Sequence, residues 1–426
     1  MMHRSLVTAF TMAAFLSAAV TWSQPASVPH LPEPAGPFGI GRVSFDWTDG
    51  KRSDPFSADL RARRELMVYV WYPTPAPEEN ADGMYQPRAK EIDAAPGGER
   101  LRQSPIWPFV VAGVIKSHAR ENAPIVAGAL RLPIVLFSHG DTAANSFAYT
   151  SAIEDLASRG SVVVAVEHPH SSSAVAFPDG RVVFAYDRQR LRGDRPSGIP
   201  YFDGVQIAMK DMRQLGEIEA ADLRFVLDQL ERLDKSAKSL LFFRRLDFSR
   251  IAAVGHSLGG IAAIRACQLD TRIKACVNQD GGTPDGVFLQ YPAAKPLKQP
   301  FLFIEATPAI TFTDQQLAER GITRADWDRN AQAVADAQER QFRDSLGDSY
   351  KVQVRAPGMN HMSFGDALLS ATTPEARERA LHNMLLTMDV TRAFLDKVLK
   401  SEAQTLLDQP NQPASEIKVE VFGARR

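Results

Sequence analysis

The sequence predicts an α/β fold, with a mostly parallel central sheet and helices on both faces. Three observations carry that expectation. Short, continuous apolar runs recur from residue 133 onward. Stretches with apolar residues at helical spacing lie between them. One of the runs drives straight into a Gly-x-Ser-x-Gly string, IAAVGHSLGG at 251–260.

The runs are PIVLFSHG, SVVVAVEHPHS, IAAVGHS, IKACVNQD and FLFIEAT, each bounded by Gly, Pro, His or an acid. Runs of this length without polar alternation suit strands covered on both faces, as in a parallel sheet. Upstream, GIGRVSFDW and ELMVYVWYP read as two further strands. In the second, Met67, Tyr69 and Trp71 share one face, with Val68 and Val70 on the other. Residues 73–100 are rich in Pro, Gly and charge and read as a long loop. Helices are expected over 149–158 and 206–233; in the latter Leu223, Val226, Leu227, Leu230 and Leu233 form one stripe. Strand alternating with helix implies crossover connections and a parallel sheet. A last strand is expected over 351–355, then two helices, the first opened by Thr373-Pro374-Glu375.

The chain has 426 residues, 44% of them hydrophobic, and a net charge of −1. That is ample for a large core, and no Lys/Arg block suggests a nucleic-acid partner. Residues 1–23 pair a short basic start, His3 and Arg4, with an acid-free apolar stretch and small residues, the pattern of a secretory signal peptide. Residues 24–36 form a proline-rich leader, 37–400 one α/β domain, and 401–426 a C-terminal tail. The expected location is outside the cytoplasm, periplasmic or secreted. There a disulfide is chemically possible between the only two cysteines, Cys267 and Cys276, with two buried thiols as the plainer alternative.

The serine motif gains meaning from its context. A buried-type strand runs into Gly255-His256-Ser257-Leu258-Gly259, and a helical pattern runs out of it. That is the nucleophile elbow, a sharp turn that exposes a serine Oγ. A serine hydroxyl needs a base. In this architecture the acid and then the histidine follow the serine in chain order. Only His361 and His382 come later; His361 lies in a loop past the last strand, and His382 reads as a helix-face residue. For the acid, Asp280 at the end of IKACVNQD leads, with Glu305 one strand later and Asp285 as weaker choices. Oxyanion donors are expected from the backbone N–H of Leu258, just after the serine, and of Asp141 after the strand ending in Ser-His-Gly. The Asp141 carboxylate would repel an oxyanion, so its side chain is expected to point away. His139 and His256 flank the site, and His168 and His170 lack a neighbouring carboxylate cluster, so no metal is expected. No phosphate loop or dinucleotide fingerprint is present, so no organic cofactor is expected either.

These segments resemble the platelet-activating factor acetylhydrolase family, of the plasma and intracellular type-II kind, over roughly residues 36–400. GPFGIGRVSFDW, LPIVLFSHG, YTSAIEDLASRGSVVVAVEHPHSSS, RIAAVGHSLGG and GMNHMSFGD carry the resemblance. It implies the α/β-hydrolase fold with a loop or lid insertion. It also implies a Ser257–His361–Asp280 triad, an oxyanion hole at Leu258 and Asp141, and phospholipids with a short sn-2 acyl chain as substrates. Leu258 stands where an aromatic residue is usual, Asp141 replaces an apolar residue, and Gly281 and Gly282 replace bulky ones. Acyl preference therefore does not transfer. The apolar stretch 106–115, with Trp107 and Phe109, is expected to line the pocket together with His256, or to touch a lipid surface; the charged segment 190–201 is a candidate lid. The expected activity is ester hydrolysis through an acyl-enzyme. The alternatives are a broader carboxylesterase or polyester hydrolase, and a catalytically silent binding protein.

Overall fold

A computed structural model describes residues 29–75, 83–128, 131–141, 144–186, 201–281, 297–306, 312–344, 347–408 and 416–422. The expected signal peptide, the start of the leader, most of the candidate lid, Asp285 and Gly282 lie outside the described residues.

Among the described residues the sheet has ten strands, in the order β12-β11-β10-β9-β8-β4-β5-β2-β1-β3. They are β1 (Gly39–Ser53), β2 (Arg63–Thr74), β3 (Ala119–Glu121), β4 (Leu132–Ser138), β5 (Val162–Glu167), β8 (Leu246–His256), β9 (Ala275–Gln279), β10 (Phe301–Ala306), β11 (Ser349–Val354) and β12 (Ile417–Phe422). A separate hairpin pairs β6 (Ala174–Ala176) with β7 (Val182–Phe184). From β5 through β4, β8, β9 and β10 to β11 every pairing is parallel, and β2 and β12 run antiparallel to their inner neighbours. This is the mostly parallel α/β-hydrolase sheet.

Helices cover both faces: α1 (Thr150–Ser158), α2 (Tyr201–Lys235), α3 (Leu258–Leu269), α4 (Arg324–Asp344) and α5 (Pro374–Lys400). Strand side chains alternate between two cores. Met67, Tyr69, Trp71, Val135, Phe137, Val163 and Val254 pack with Ile153 of α1 and Phe394 of α5. Val68, Val70, Ile134, Leu136, Val164 and Ala253 pack with Leu223, Leu227 and Leu230 of α2 and Ala263 of α3. The inner strands β4 and β5 are covered on both faces, so their sequences run almost entirely apolar, which is why they are legible. The expected cap on α5 is present: Thr373 Oγ1 accepts from the Ala376 N–H.

Two helices follow β11 as expected, the second of only four residues, Thr405–Asp408. Three expectations change. Residues 73–100 are not one loop, since short helices form at Ala89–Ala94 and Glu99–Arg102. Residues 401–426 are not simply a tail, because β12 pairs along the whole of β11 and covers its open edge. Finally, the two cysteines are joined. Cys267 of α3 and Cys276 of β9 form a disulfide with Cα atoms 6.4 Å apart, so their side chains do face each other. The bridge ties the helix after the serine to the strand before Asp280.

The chain order places a switch point at β4. β5 lies on one side of β4 and β8 on the other, and the crevice beyond their carboxyl ends is where such sheets gather ligands. Closing a loop of this size by a disulfide removes about 2–3 kcal/mol of unfolded-chain entropy. The Cys267→Ala/Cys276→Ala variant should lose stability of about that size against the oxidised parent in urea unfolding.

Candidate active site

Ser257 sits between β8 and α3 with φ 54° and ψ −120°, a region that costs a non-glycine residue about 1–3 kcal/mol. Backbone crowding fixes this turn. A Cβ on Gly255 would lie 2.1 Å from the Gly259 carbonyl oxygen, and one on Gly259 would lie 2.1 Å from the Ser138 carbonyl oxygen. Strand β4, the turn and α3 therefore touch main chain to main chain. The Ser257 N–H donates to the Gln279 carbonyl at 2.9 Å, linking the elbow to β9.

The acid comes from the end of β9. Asp280 has φ 53°, and its N–H donates to the Ile304 carbonyl at 2.7 Å. Asn278 braces this left-handed turn, with Oδ1 accepting from the Gly281 N–H and Nδ2 donating to the Gly281 carbonyl, both at 2.7 Å. The turn aims the carboxylate at two donors: Oδ1 accepts from the Ala306 N–H at 3.0 Å, and Oδ2 meets His361 Nδ1 at 2.7 Å. His361 Nε2 lies 3.0 Å from Ser257 Oγ. The structure thus joins Ser257, His361 and Asp280 in one hydrogen-bonded chain. Nδ1 donates to the carboxylate, which leaves Nε2 to accept the serine proton. The imidazole is 48% exposed, so the chain opens towards solvent.

His361 is held by its own short turn, His361–Phe364, capped by Asn360 Oδ1 on the Met362 N–H. The rival residues point elsewhere. Glu305 lies near Lys351 Nζ and Gln353 Nε2 of β11, at 3.5 Å each. His382 pairs with Glu416 at 2.7 Å on the surface.

Leu258 opens α3, where backbone N–H groups have no intrahelical partner and the helix dipole favours negative charge. Asp141 follows Gly140 at the end of the β4 loop, the expected second donor position.

Under that loop lies a buried polar network that sequence reading did not find. His168 Nδ1 donates to Asp222 Oδ2 at 2.9 Å, and Arg64 Nη2 donates to the same oxygen at 2.8 Å. Arg64 and His168 draw the Asp222 carboxyl below its ordinary range against the opposing effect of burial. Burial lowers the His168 pKa to about 4, so the ring is neutral and Nε2 accepts from Ser138 Oγ at 3.1 Å. That uses the only proton of Ser138. Its 3.2 Å contact with Glu219 Oε2 must then run the other way, from a protonated Glu219. Burial agrees, raising the Glu219 pKa to about 8. Ser171 Oγ donates to Glu219 Oε1 at 2.5 Å. His139 donates from Nδ1 to the Gly140 carbonyl at 2.6 Å, and its Nε2 contacts Ser172 Oγ at 2.6 Å. The partners of these residues are invisible in sequence because 30 to 158 positions separate the side chains that meet.

A cavity of about 400 Å³ lies beside the 144–148 turn, lined by Trp107, Val110, Ile106, Tyr85, Phe184 and Asn145 among others. Trp107 is buried there, its Nε1 donating to Asp93 Oδ1 at 2.8 Å. Phe109 is not part of the lining and is 40% exposed, on the solvent side of the short helix Trp107–Val111. His256 is not part of it either; both its ring nitrogens are engaged within the protein.

Comparison with known proteins agrees with this picture. The family model described as platelet-activating factor acetylhydrolase, isoform II, matches residues 27–183. A probable 1-alkyl-2-acetylglycerophosphocholine esterase of Arthroderma benhamiae is 29% identical over 289 residues, 65% of each chain. The platelet-activating factor acetylhydrolase of Cavia porcellus is 31% identical over 178 residues, 39% of each chain. The chain thus spans less than two thirds of the length of these curated relatives. A ferulic acid esterase from Streptomyces cinnamoneus superposes with TM-score 0.64 at 26% identity, covering 92% of this chain and 99% of that one. The resemblance to the platelet-activating factor acetylhydrolase family read from the sequence is borne out. So is the α/β-hydrolase fold.

A neutral Glu219 makes a signed prediction. Its folded pKa of about 8 lies above the ordinary value of 4.5. The folded state therefore keeps a proton that the unfolded chain releases, and stability falls as pH rises from 4.5 towards 8. Glu219→Gln keeps a donor for Ser138 and an acceptor for Ser171 but cannot ionise. Its melting temperature minus that of the parent should grow steadily across that window; a constant difference would contradict the assignment.

Proposed function

We propose that this chain, similar to the platelet-activating factor acetylhydrolase family, is an exported serine hydrolase of carboxylic esters. The hydrogen-bonded chain Ser257–His361–Asp280 is the observation that carries the reading. Ser257 Oγ attacks the ester carbonyl while His361 Nε2 takes its proton. The tetrahedral oxyanion meets the N–H groups of Leu258 and Asp141. The carbonyl reforms as the C–O bond to the alcohol breaks, and the alcohol leaves with the proton from His361. Water then attacks the acyl-enzyme with His361 as base, releasing the acid and free Ser257. Asp280 fixes the imidazole tautomer and stabilises the imidazolium; it does not take the proton.

The substrate proposed is a phospholipid with a short sn-2 acyl chain, supported by the names of the curated relatives. A broader carboxylesterase is the second reading, supported by the esterase from Streptomyces cinnamoneus that this chain matches along nearly its whole length. Export is supported by the composition of residues 1–23 and by the disulfide, which persists in oxidising compartments.

Purified protein should hydrolyse p-nitrophenyl butyrate, and Ser257→Ala should lower kcat by about a millionfold. Asp280→Asn should cost about 10⁴-fold through the wrong histidine tautomer, whereas Glu305→Gln should change kcat less than about twofold. Failure of Ser257 to react with a fluorophosphonate probe would leave a silent binding protein. On phosphatidylcholines, a higher kcat/KM for an sn-2 acetyl group than for a long chain supports the phospholipid reading. Butyrate turnover with little phospholipid turnover supports the broader esterase.

A further inference from the structure

We propose that Tyr149 is a positioning residue for this reaction: its hydroxyl ties the loop that carries Asp141 to the loop that carries His361, through His256. The inference rests on the serine-hydrolase reading above. The proton positions carry it. His256 Nε2 lies 2.8 Å from the His361 carbonyl oxygen, which can only accept, so Nε2 carries the hydrogen. A neutral imidazole has one N–H, so Nδ1 presents a lone pair. Tyr149 Oη stands 2.7 Å from that nitrogen and must donate to it. The tyrosine oxygen is then left as an acceptor, and the Gly140 N–H donates to it at 3.2 Å. The whole relay has a single consistent assignment.

The charges of the two rings suit this role. His256 is buried beside the His361 ring, with centroids 4.5 Å apart, and both effects lower its pKa to about 3. It remains neutral at working pH and keeps the tautomer that the relay needs. Burial raises the Tyr149 pKa, so the hydroxyl keeps its proton. Packing fixes the rings: Tyr149 lies against Phe137 at 5.1 Å, and His256 stacks on Phe364 at 5.1 Å. A second tie runs in parallel, from the Asp366 N–H to the Ala148 carbonyl at 2.7 Å.

Three chain segments meet here that share no sequence neighbourhood. Gly140 directly precedes Asp141, His256 directly precedes Ser257, and the His361 carbonyl belongs to the proposed base itself. One hydroxyl thus references the oxyanion loop and the histidine loop to the same rigid elbow. Losing it loosens the alignment of donor and base, and misplacement of about 1 Å costs on the order of 10²-fold in rate.

The test is Tyr149→Phe, which keeps the ring and removes only the hydroxyl. The expected result is kcat on p-nitrophenyl butyrate lowered about 10- to 100-fold with KM within about threefold of the parent. Nitrogen-15 spectra of labelled histidines should show His256 as a neutral Nε2–H tautomer in the parent and a mixture in the variant. A wild-type kcat, or a loss confined to KM, would overturn the proposal. So would a parent spectrum with His256 protonated or in the Nδ1–H form, a result independent of whether the variant folds. If the parent protein hydrolyses no ester, the serine-hydrolase reading fails, while the parent spectrum still decides whether Tyr149 holds His256.

Discussion

The turn at Ser257 is the constraint on which the rest of the site depends. A serine at φ 54° and ψ −120° is not a conformation that a chain adopts freely. It persists because strand β8, helix α3 and strand β4 press on it from three sides, at distances that admit no Cβ on Gly255 or Gly259. The strain and the crowding are one feature. The turn exposes Oγ only while the main chains around it stay in contact, and they stay in contact because both faces of the sheet are packed.

The partners of the serine are supplied by the same sheet. Parallel order brings the ends of β4, β8, β9 and β11 to one edge, so residues far apart in sequence arrive within hydrogen-bond distance. Each arrives on a turn with its own local lock. Asn278 braces the left-handed Asp280, and Asn360 caps the turn that carries His361. The disulfide between α3 and β9 fastens the serine helix to the acid strand from within the core. Rigid strands thus set the coarse positions, and side-chain to backbone hydrogen bonds set the final angles.

Polar burial near the site follows a clear division. On one side of the β4 loop, Arg64, Asp222, His168, Ser138 and Glu219 form a network in which Asp222 pairs with both Arg64 and Arg52 and Glu219 is a neutral acid. On the other, Tyr149 and His256 form a shorter relay with no charge. Buried polar groups of this kind are tolerated only when nearly every donor and acceptor is matched. Their matching is what gives the β4 loop a defined shape beside the serine.

The sequence by itself determined the parallel sheet, the elbow and the order serine, acid, histidine. Those features are written locally: strand burial as unbroken apolar runs, the elbow as glycines at fixed spacing, and the histidine as a loop residue just past β11. Sequence left Asp280 and Glu305 both standing, because both end neighbouring strands, and only the turn at Asp280 decides which carboxylate faces His361. It also placed Phe109 and His256 in a pocket: the apolar stretch around Phe109 does not show which way its residues face, and the ties of His256 to Tyr149 and the His361 carbonyl join distant segments. The disulfide, the pairing of β12 with β11, the neutral Glu219 network and the Tyr149 relay belong to tertiary structure alone. Each joins groups whose distance in space is set by the packing of the whole sheet, and no local pattern of residues encodes that distance.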